Sequence, residues 1–260
     1  MAKGNRYDQL IEKVFFDHYS DGDTSVMFVR DELEPAALEL GIKLPKNLGD
    51  IVYSVRFRSS LPKRIIDTQP KGLEWVISLA GKGKYEFSLK KINRIVQNEN
   101  LVSIRIPDST PEIISAYALD DEQALLAKVR YNRLIDIFLG LTTYSLQNHL
   151  RTTVKNMGQI EIDELYVGLD THGCHYTIPV QAKGGSDQIG IVQTEQDIAW
   201  CQQQYPDLRC RPISAQFITN ELIAMFELKV DNDELKVVEE RHYKLVPASD
   251  LDTSELSNYR

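Results

Sequence analysis

The stretch GQIEIDELYVGLDTHGCHYTIPVQAK, residues 158 to 183, holds two runs in which apolar and polar side chains alternate, separated by the polar turn Asp170-Thr171-His172-Gly173. Alternation with a period of two marks a half-buried strand, and two such runs around a short turn specify a hairpin. The same period fixes faces. Glu161 and Asp163 point one way on the first strand; Gln181 and Lys183 share a face on the second, with Ala182 opposite. Paired strands lie about 4.8 Å apart, so one site can hold a carboxylate, an amide oxygen and an ammonium. Gly184 and Gly185 follow, and let the backbone pass close to a ligand.

Around this hairpin the order of elements reads as a mixed α/β sheet. DDEQALLAKVRYNRLIDIFLGLTTYSLQNHL is helical in pattern, with Asp120, Asp121 and Glu122 where a first turn favours acids. Leu126, Val129, Leu134, Ile137, Phe138 and Leu141 form its apolar stripe, and Gly140 divides the run. TEQDIAWCQQQY predicts a helix ended by Pro206, CRPISAQFI a strand, and the run from Leu222 a final hairpin turning at Asp231-Asn232-Asp233. Helix, hairpin, helix, strand, hairpin is an α/β (α+β) order.

The first ninety residues have a different rhythm: helix, helix, helix, then hairpin. YDQLIEKVFFDHY places Leu10, Ile11, Val14 and Phe15 on one helical face. VRDELEPAALELGI is a short helix stopped by Gly41, with Pro35 in its first turn. PKNLGDIVYSVRFR carries Leu48, Ile51, Val52 and Val55 at helical spacing, and EWVISLAGKGKYEFSL is a hairpin with a basic tip. Three helices and a basic hairpin predict a winged helix-turn-helix. On that expectation the third helix enters a DNA groove with Lys46, Asn47, Ser54, Arg56 or Arg58, while Lys82 and Lys84 touch phosphate. Residues 98 to 113 combine a short strand with two prolines and suggest the boundary, giving a winged-helix-like domain at 1–105 and an α/β domain at 106–260.

With 30 basic against 38 acidic side chains the net charge is -8, which argues against coating nucleic acid by bulk electrostatics and suits gathering carboxylates around a metal. No apolar stretch approaches the ~18 residues of a membrane span, and the start lacks a secretory apolar region. Cys174, Cys201 and Cys210 have no Cys-x-x-Cys spacing, so a reducing cytoplasm is the expected compartment. His172, Cys174 and His175 cluster at the hairpin turn, but no second Cys or His pair completes a zinc set. Cys201 reads as a small buried residue of an amphipathic helix.

An acid on one strand, then hydrophobic residues and Gln-Ala-Lys on the next, with a helix following, resembles the PD-(D/E)xK nuclease superfamily over roughly residues 120 to 230. Within it, the resemblance is to the Mrr-like Gln-x-Lys variant. It implies a restriction-endonuclease-like mixed sheet flanked by helices, and phosphodiester hydrolysis with Mg2+ or Mn2+. Asp163 matches the first metal-binding acid, Gln181 the usual Glu or Asp, and Lys183 the catalytic lysine. Metal ligation would involve Asp163, Glu161 and the Ala182 carbonyl.

Gln181 departs from the usual acid. Losing one carboxylate about 4 Å from a cation forfeits several kcal/mol of attraction, so another acid is needed. Glu161 is the first choice, with Glu164, Glu122 and Asp136 as alternatives. Gln193, Glu195 and Gln196 of the following helix, and the amide-rich segment YSLQNHLRTTVKN, offer further polar contacts to the site or to DNA. The expected function is a Mg2+-dependent endonuclease acting on double-stranded DNA in restriction or defence. A homodimer follows from the need to cut two strands, and a companion methyltransferase or defence-system subunit is an expected partner. The rival expectations are a non-cleaving DNA-binding regulator on the same fold, or a protein-docking module. At the level of the site, the rival is a solvated sheet edge guarded by a lysine.

Overall fold

The computed structural model describes residues 6–57, 60–91, 95–117, 122–155, 157–184, 189–219, 221–232 and 234–257. The chain divides into two compact units: 1–93 with 153–160 and 232–234, and 94–152 with 161–231 and 235–260.

In the first unit, α1 (Arg6–His18) buries the expected stripe of Leu10, Ile11, Val14 and Phe15. It is followed by β1 (Ser25–Val29), α2 (Leu33–Leu40), α3 (Gly49–Phe57), α4 (Lys63–Ile66), β2 (Glu74–Gly81) and β3 (Lys84–Lys90). Gly41 ends α2 in the left-handed region at φ 64°, a conformation glycine adopts without a steric penalty. The sheet order is β1-β3-β2. Phe15 meets Trp75 and Phe87 edge to face, tying α1 to the hairpin. The sequence reading missed β1. Its five residues bury only Val26 and Phe28, and it exists by pairing with β3, Val26 opposite Phe87.

The remaining elements are β4 (Ser103–Pro107), α5 (Glu112–Tyr117), α6 (Glu122–Tyr131), α7 (Leu134–Leu139), β5 (Thr142–Val154), β6 (Gly158–Leu169), β7 (His175–Lys183), α8 (Ile191–Gln204), β8 (Arg209–Cys210), β9 (Ile213–Phe217), β10 (Leu222–Asp231), β11 (Glu234–Val246) and α9 (Thr253–Ser257). The larger sheet runs β4-β11-β10-β9-β7-β6-β5, with β8 beside β7. It is mixed: β6 is antiparallel to β7, whereas β9 is parallel to it. Helices cover both faces. Leu125 and Val129 of α6 and Phe138 of α7 pack in one cluster with Ile178, Val180, Ala182 and Ala215. On the other face, Ile191 of α8 packs with Ala224, Phe226 and Leu228. The architecture is thus mixed α/β, a large mixed sheet flanked by helices. Among the described residues no helix is long and apolar enough to cross a membrane.

Two expectations need correction. The helical run drawn to residue 150 stops at Gly140, φ 64°, and residues 142–154 form β5. β-Branched and aromatic residues at Thr142, Thr143, Tyr144, Thr152, Thr153 and Val154 favour the extended backbone, and β6 supplies the partner. The boundary at 105/106 also moves. Ser103–Pro107 pairs in parallel with β11, His242 opposite Ser103, so that strand belongs to the larger sheet and to the second unit.

Candidate functional site

The hairpin registers Glu164 opposite Val180 and Leu165 opposite Pro179. Glu164 and Val180 therefore look toward α6, and Asp163 and Gln181, one residue along, look toward α8. Asp163 Oδ2 accepts the backbone N–H of Ala182 at 2.9 Å. Gln181 Nε2 donates to Asp197 Oδ2 of α8 at 3.0 Å and to the Glu161 carbonyl at 3.3 Å. Lys183, half-buried, lines a small cavity together with Gln181, Thr194, Asp197, Pro212 and Ser214. Ala182 is fully buried opposite Ala215 of β9. Asp163, Gln181 and Lys183 thus stand on one face, joined by an acid from the helix that follows them.

The electrostatics are those of a desolvated acidic pair. Burial raises the pKa of the Asp163 carboxyl, while the Ala182 N–H and the charge of Lys183 pull it back. Burial holds the Asp197 carboxyl well above the usual range; the Gln181 amide opposes this and the charge of Asp163 adds to it. A raised carboxyl on a small cavity, with a second raised carboxyl acting on it, is where a proton or a cation is favoured. The donors that remain fit a hard cation. Gln181 Oε1 and Asp197 Oδ1 are buried oxygens without a hydrogen-bond partner.

Glu161, the first choice for a second metal-binding acid, shares the face of Asp163 but is held by two bases. His149 Nε2 lies 2.9 Å from its Oε1 and Arg151 Nε 3.2 Å from its Oε2. His149 sits at φ 53°, an uncommon conformation for a non-glycine residue within a strand. The other candidates lie toward α6 and α7. Glu164, fully buried, is paired with Arg130 at 2.8 Å and accepts from Ser145 at 2.7 Å. Asp136 is taken by Arg133 at 2.6 Å and by the Thr143 N–H and hydroxyl at 2.8 and 2.9 Å. Glu122 opens α6 on that same side of the sheet.

The acid the sequence reading missed is Asp197. Glu195 is half-buried and Gln196 buried on α8, and Gln193 lines the cavity. Gly184 is described, whereas Gly185 lies outside the described residues, as do Asp120 and Asp121. Among the described residues no group of three or more His, Cys, Asp or Glu side chains is arranged to hold a metal, the His172-Cys174-His175 turn included.

In the first unit, Lys82 and Lys84 are exposed on the β2–β3 hairpin and Lys46 precedes α3, also exposed. Asn47 is engaged locally: its Oδ1 accepts the Gly49 N–H at 3.1 Å and its Nδ2 donates to Asp50 at 2.7 Å. That is the work of a helix cap. Ser54 is half-buried on α3. Arg56 corrects the sequence expectation. One turn after buried Val52, it turns inward, its Nε donates to the Ile77 carbonyl at 3.0 Å, and burial lowers its pKa to about 10. Arg58 lies outside the described residues.

No protein-family model, curated protein or solved structure matches the chain.

Proposed function

We propose that the protein is a metal-dependent DNA endonuclease of the PD-(D/E)xK kind. The observation that carries this reading is the convergence of Asp163, Gln181 and Lys183, from adjacent strands of a mixed sheet, with Asp197 of the following helix. When bound, Mg2+ or Mn2+ lowers the pKa of a water and offsets charge developing on the phosphate. Gln181 and Asp197, each with a buried oxygen that has no hydrogen-bond partner, would hold it, with the Asp163 carboxylate beside them. Lys183 orients the attacking water and steadies the phosphate, and the walls of buried Ile189 and Ile213 exclude bulk solvent. Glu161 leaves the ligand set, because His149 and Arg151 already answer its charge.

The first unit would select the DNA. Its order of helix, strand, helix, helix and hairpin, with sheet order β1-β3-β2 and a basic hairpin tip, supports a winged-helix reading. Lys46, Lys82 and Lys84 are its phosphate contacts on this view, while Arg56 is structural. Cutting both strands calls for two such sites and hence a homodimer.

Nicking of supercoiled plasmid tests the proposal, with wild type beside Lys183→Ala and Asp163→Asn, in magnesium, manganese or EDTA, on methylated and unmethylated DNA. Metal-dependent cutting that both variants lose is the expected result. Intact plasmid in every lane, with DNA still retarded in a gel, favours the second reading, a non-cleaving DNA-binding regulator. The amide at 181 and the neutralised Glu161 are the observations on its side.

A further inference from the structure

Three buried polar residues line one small cavity between α8, β7 and β9. Gln181 is 6% exposed, Asp197 2% and Ser214 1%. Gln181 Oε1, Asp197 Oδ1 and Ser214 Oγ each lack a hydrogen-bond partner, and all three residues line the cavity. Buried polar atoms are nearly always satisfied, so three orphans around one space describe an occupant. The space is about 10 Å3, room for one water-sized body.

Chemistry separates the candidates. Thr194, also on the cavity wall, spends its hydroxyl on the Gly190 carbonyl at 3.2 Å. A water would satisfy hydrogen bonds but do nothing to offset the burial and the charge of Asp163 that disfavour an ionised Asp197. Lys183 lines the cavity from a half-buried position and its charge reaches both carboxyls, yet among the described residues its ammonium makes no hydrogen bond to Asp197. A cation answers all three oxygens at once. Carboxylate, amide oxygen and hydroxyl are hard donors of the kind divalent cations take.

We propose that a divalent cation binds in this cavity, held by Asp197 Oδ1, Gln181 Oε1 and Ser214 Oγ. The choice of a divalent ion rests on the nuclease reading; the ligand set rests on the cavity. The assignment also explains why residue 181 is an amide. Its N–H group anchors Asp197 while its oxygen turns to the cavity, and the carboxylate that a usual acid would bring arrives instead from α8. A glutamate at 181 beside Asp197 would have no donor for that anchor.

The test is Mn2+ binding to the full-length chain, by calorimetry and by the paramagnetic resonance of free Mn2+. Wild type should bind about one equivalent, and Asp197→Asn should weaken binding by at least about tenfold with the circular dichroism unchanged. Ser214→Ala, a smaller change that keeps the fold, should weaken it a few-fold. The exchange Gln181→Glu with Asp197→Asn keeps both the charge and the amide–carboxylate bond, and should restore affinity. Wild type that takes up no Mn2+ at millimolar concentration overturns the site. So does undiminished binding by Asp197→Asn. Plasmid nicking on the same preparations keeps the two readings apart. Mn2+ bound with plasmid intact leaves this site standing and removes the nuclease. Cutting by an Asp197→Asn protein of unchanged Mn2+ affinity does the reverse.

Discussion

The two faces of the larger sheet bury carboxylates in opposite ways. Toward α6 and α7, Glu164 is answered by Arg130 and Ser145, and Asp136 by Arg133 and Thr143. Toward α8, Asp197 accepts from an amide and Asp163 from a backbone N–H; the charge of Lys183 acts on both, but neither has an ion pair among the described residues. A buried charge with a built-in partner is explained by the fold. One without such a partner raises the question of what else binds there. Comparing faces of a single sheet is therefore more informative than counting acids, since both carry them.

The sharpest way to break the comparison is activity. Lys183→Ala and Asp163→Asn should each cost about a thousandfold in plasmid cleavage, on the scale of removing a preorganised electrostatic group. Arg130→Met, on the other face, should leave the cleavage rate per folded molecule unchanged; equal losses on both faces would erase the distinction. Stability should respond the other way round. Arg130→Met strips the partner from a fully buried carboxylate and should cost about 3 kcal/mol in urea unfolding. Asp197→Asn in EDTA should cost little or nothing.

A pH series sharpens the same point. The carboxyls of Asp163 and Asp197 are raised in the folded state, so the native protein holds their protons more tightly than the unfolded chain does. Without divalent cations, stability should then fall as pH rises from the ordinary carboxylate range through the raised native values. Asp197→Asn should flatten that fall in thermal melts; an unchanged slope would place the cost elsewhere. The smallest effect belongs to the first unit. Lys82→Ala with Lys84→Ala should weaken DNA binding and lower the slope of log affinity against log salt by about two, one for each phosphate contact. A slope unchanged by both substitutions would clear the hairpin of DNA.

Within each strand the faces were legible, because a period of two pairs Glu161 with Asp163 and Gln181 with Lys183. Bringing Asp163 and Gln181 onto one face took the register, Glu164 opposite Val180, which the sequence does not fix. Asp197 was missed because an acid in the first half of a polar helix ordinarily looks to solvent. Its signal was spacing: Thr194, Asp197 and Cys201 stand at i, i+3 and i+7, all buried, so the acid lies within the helix's inner stripe. The helical pattern ending at Leu141 carries no stop signal other than Gly140, and only pairing with β6 makes Thr142–Val154 a strand. Charge alone suggests Arg56 as a DNA contact, although its place four residues after Val52 puts it on the packed side. The neutralisation of Glu161 was beyond the sequence, since it depends on β5 delivering His149 and Arg151.

One backbone proton now becomes useful. The Ala182 N–H donates to a side chain, the Asp163 carboxylate of the neighbouring strand β6. Its magnetic environment follows the charge on that carboxylate. In a spectrum of the labelled protein, the Ala182 resonance is thus a built-in gauge of the site. It should move when an acid titrates or an ion arrives, and stay still when only the surrounding fold is perturbed.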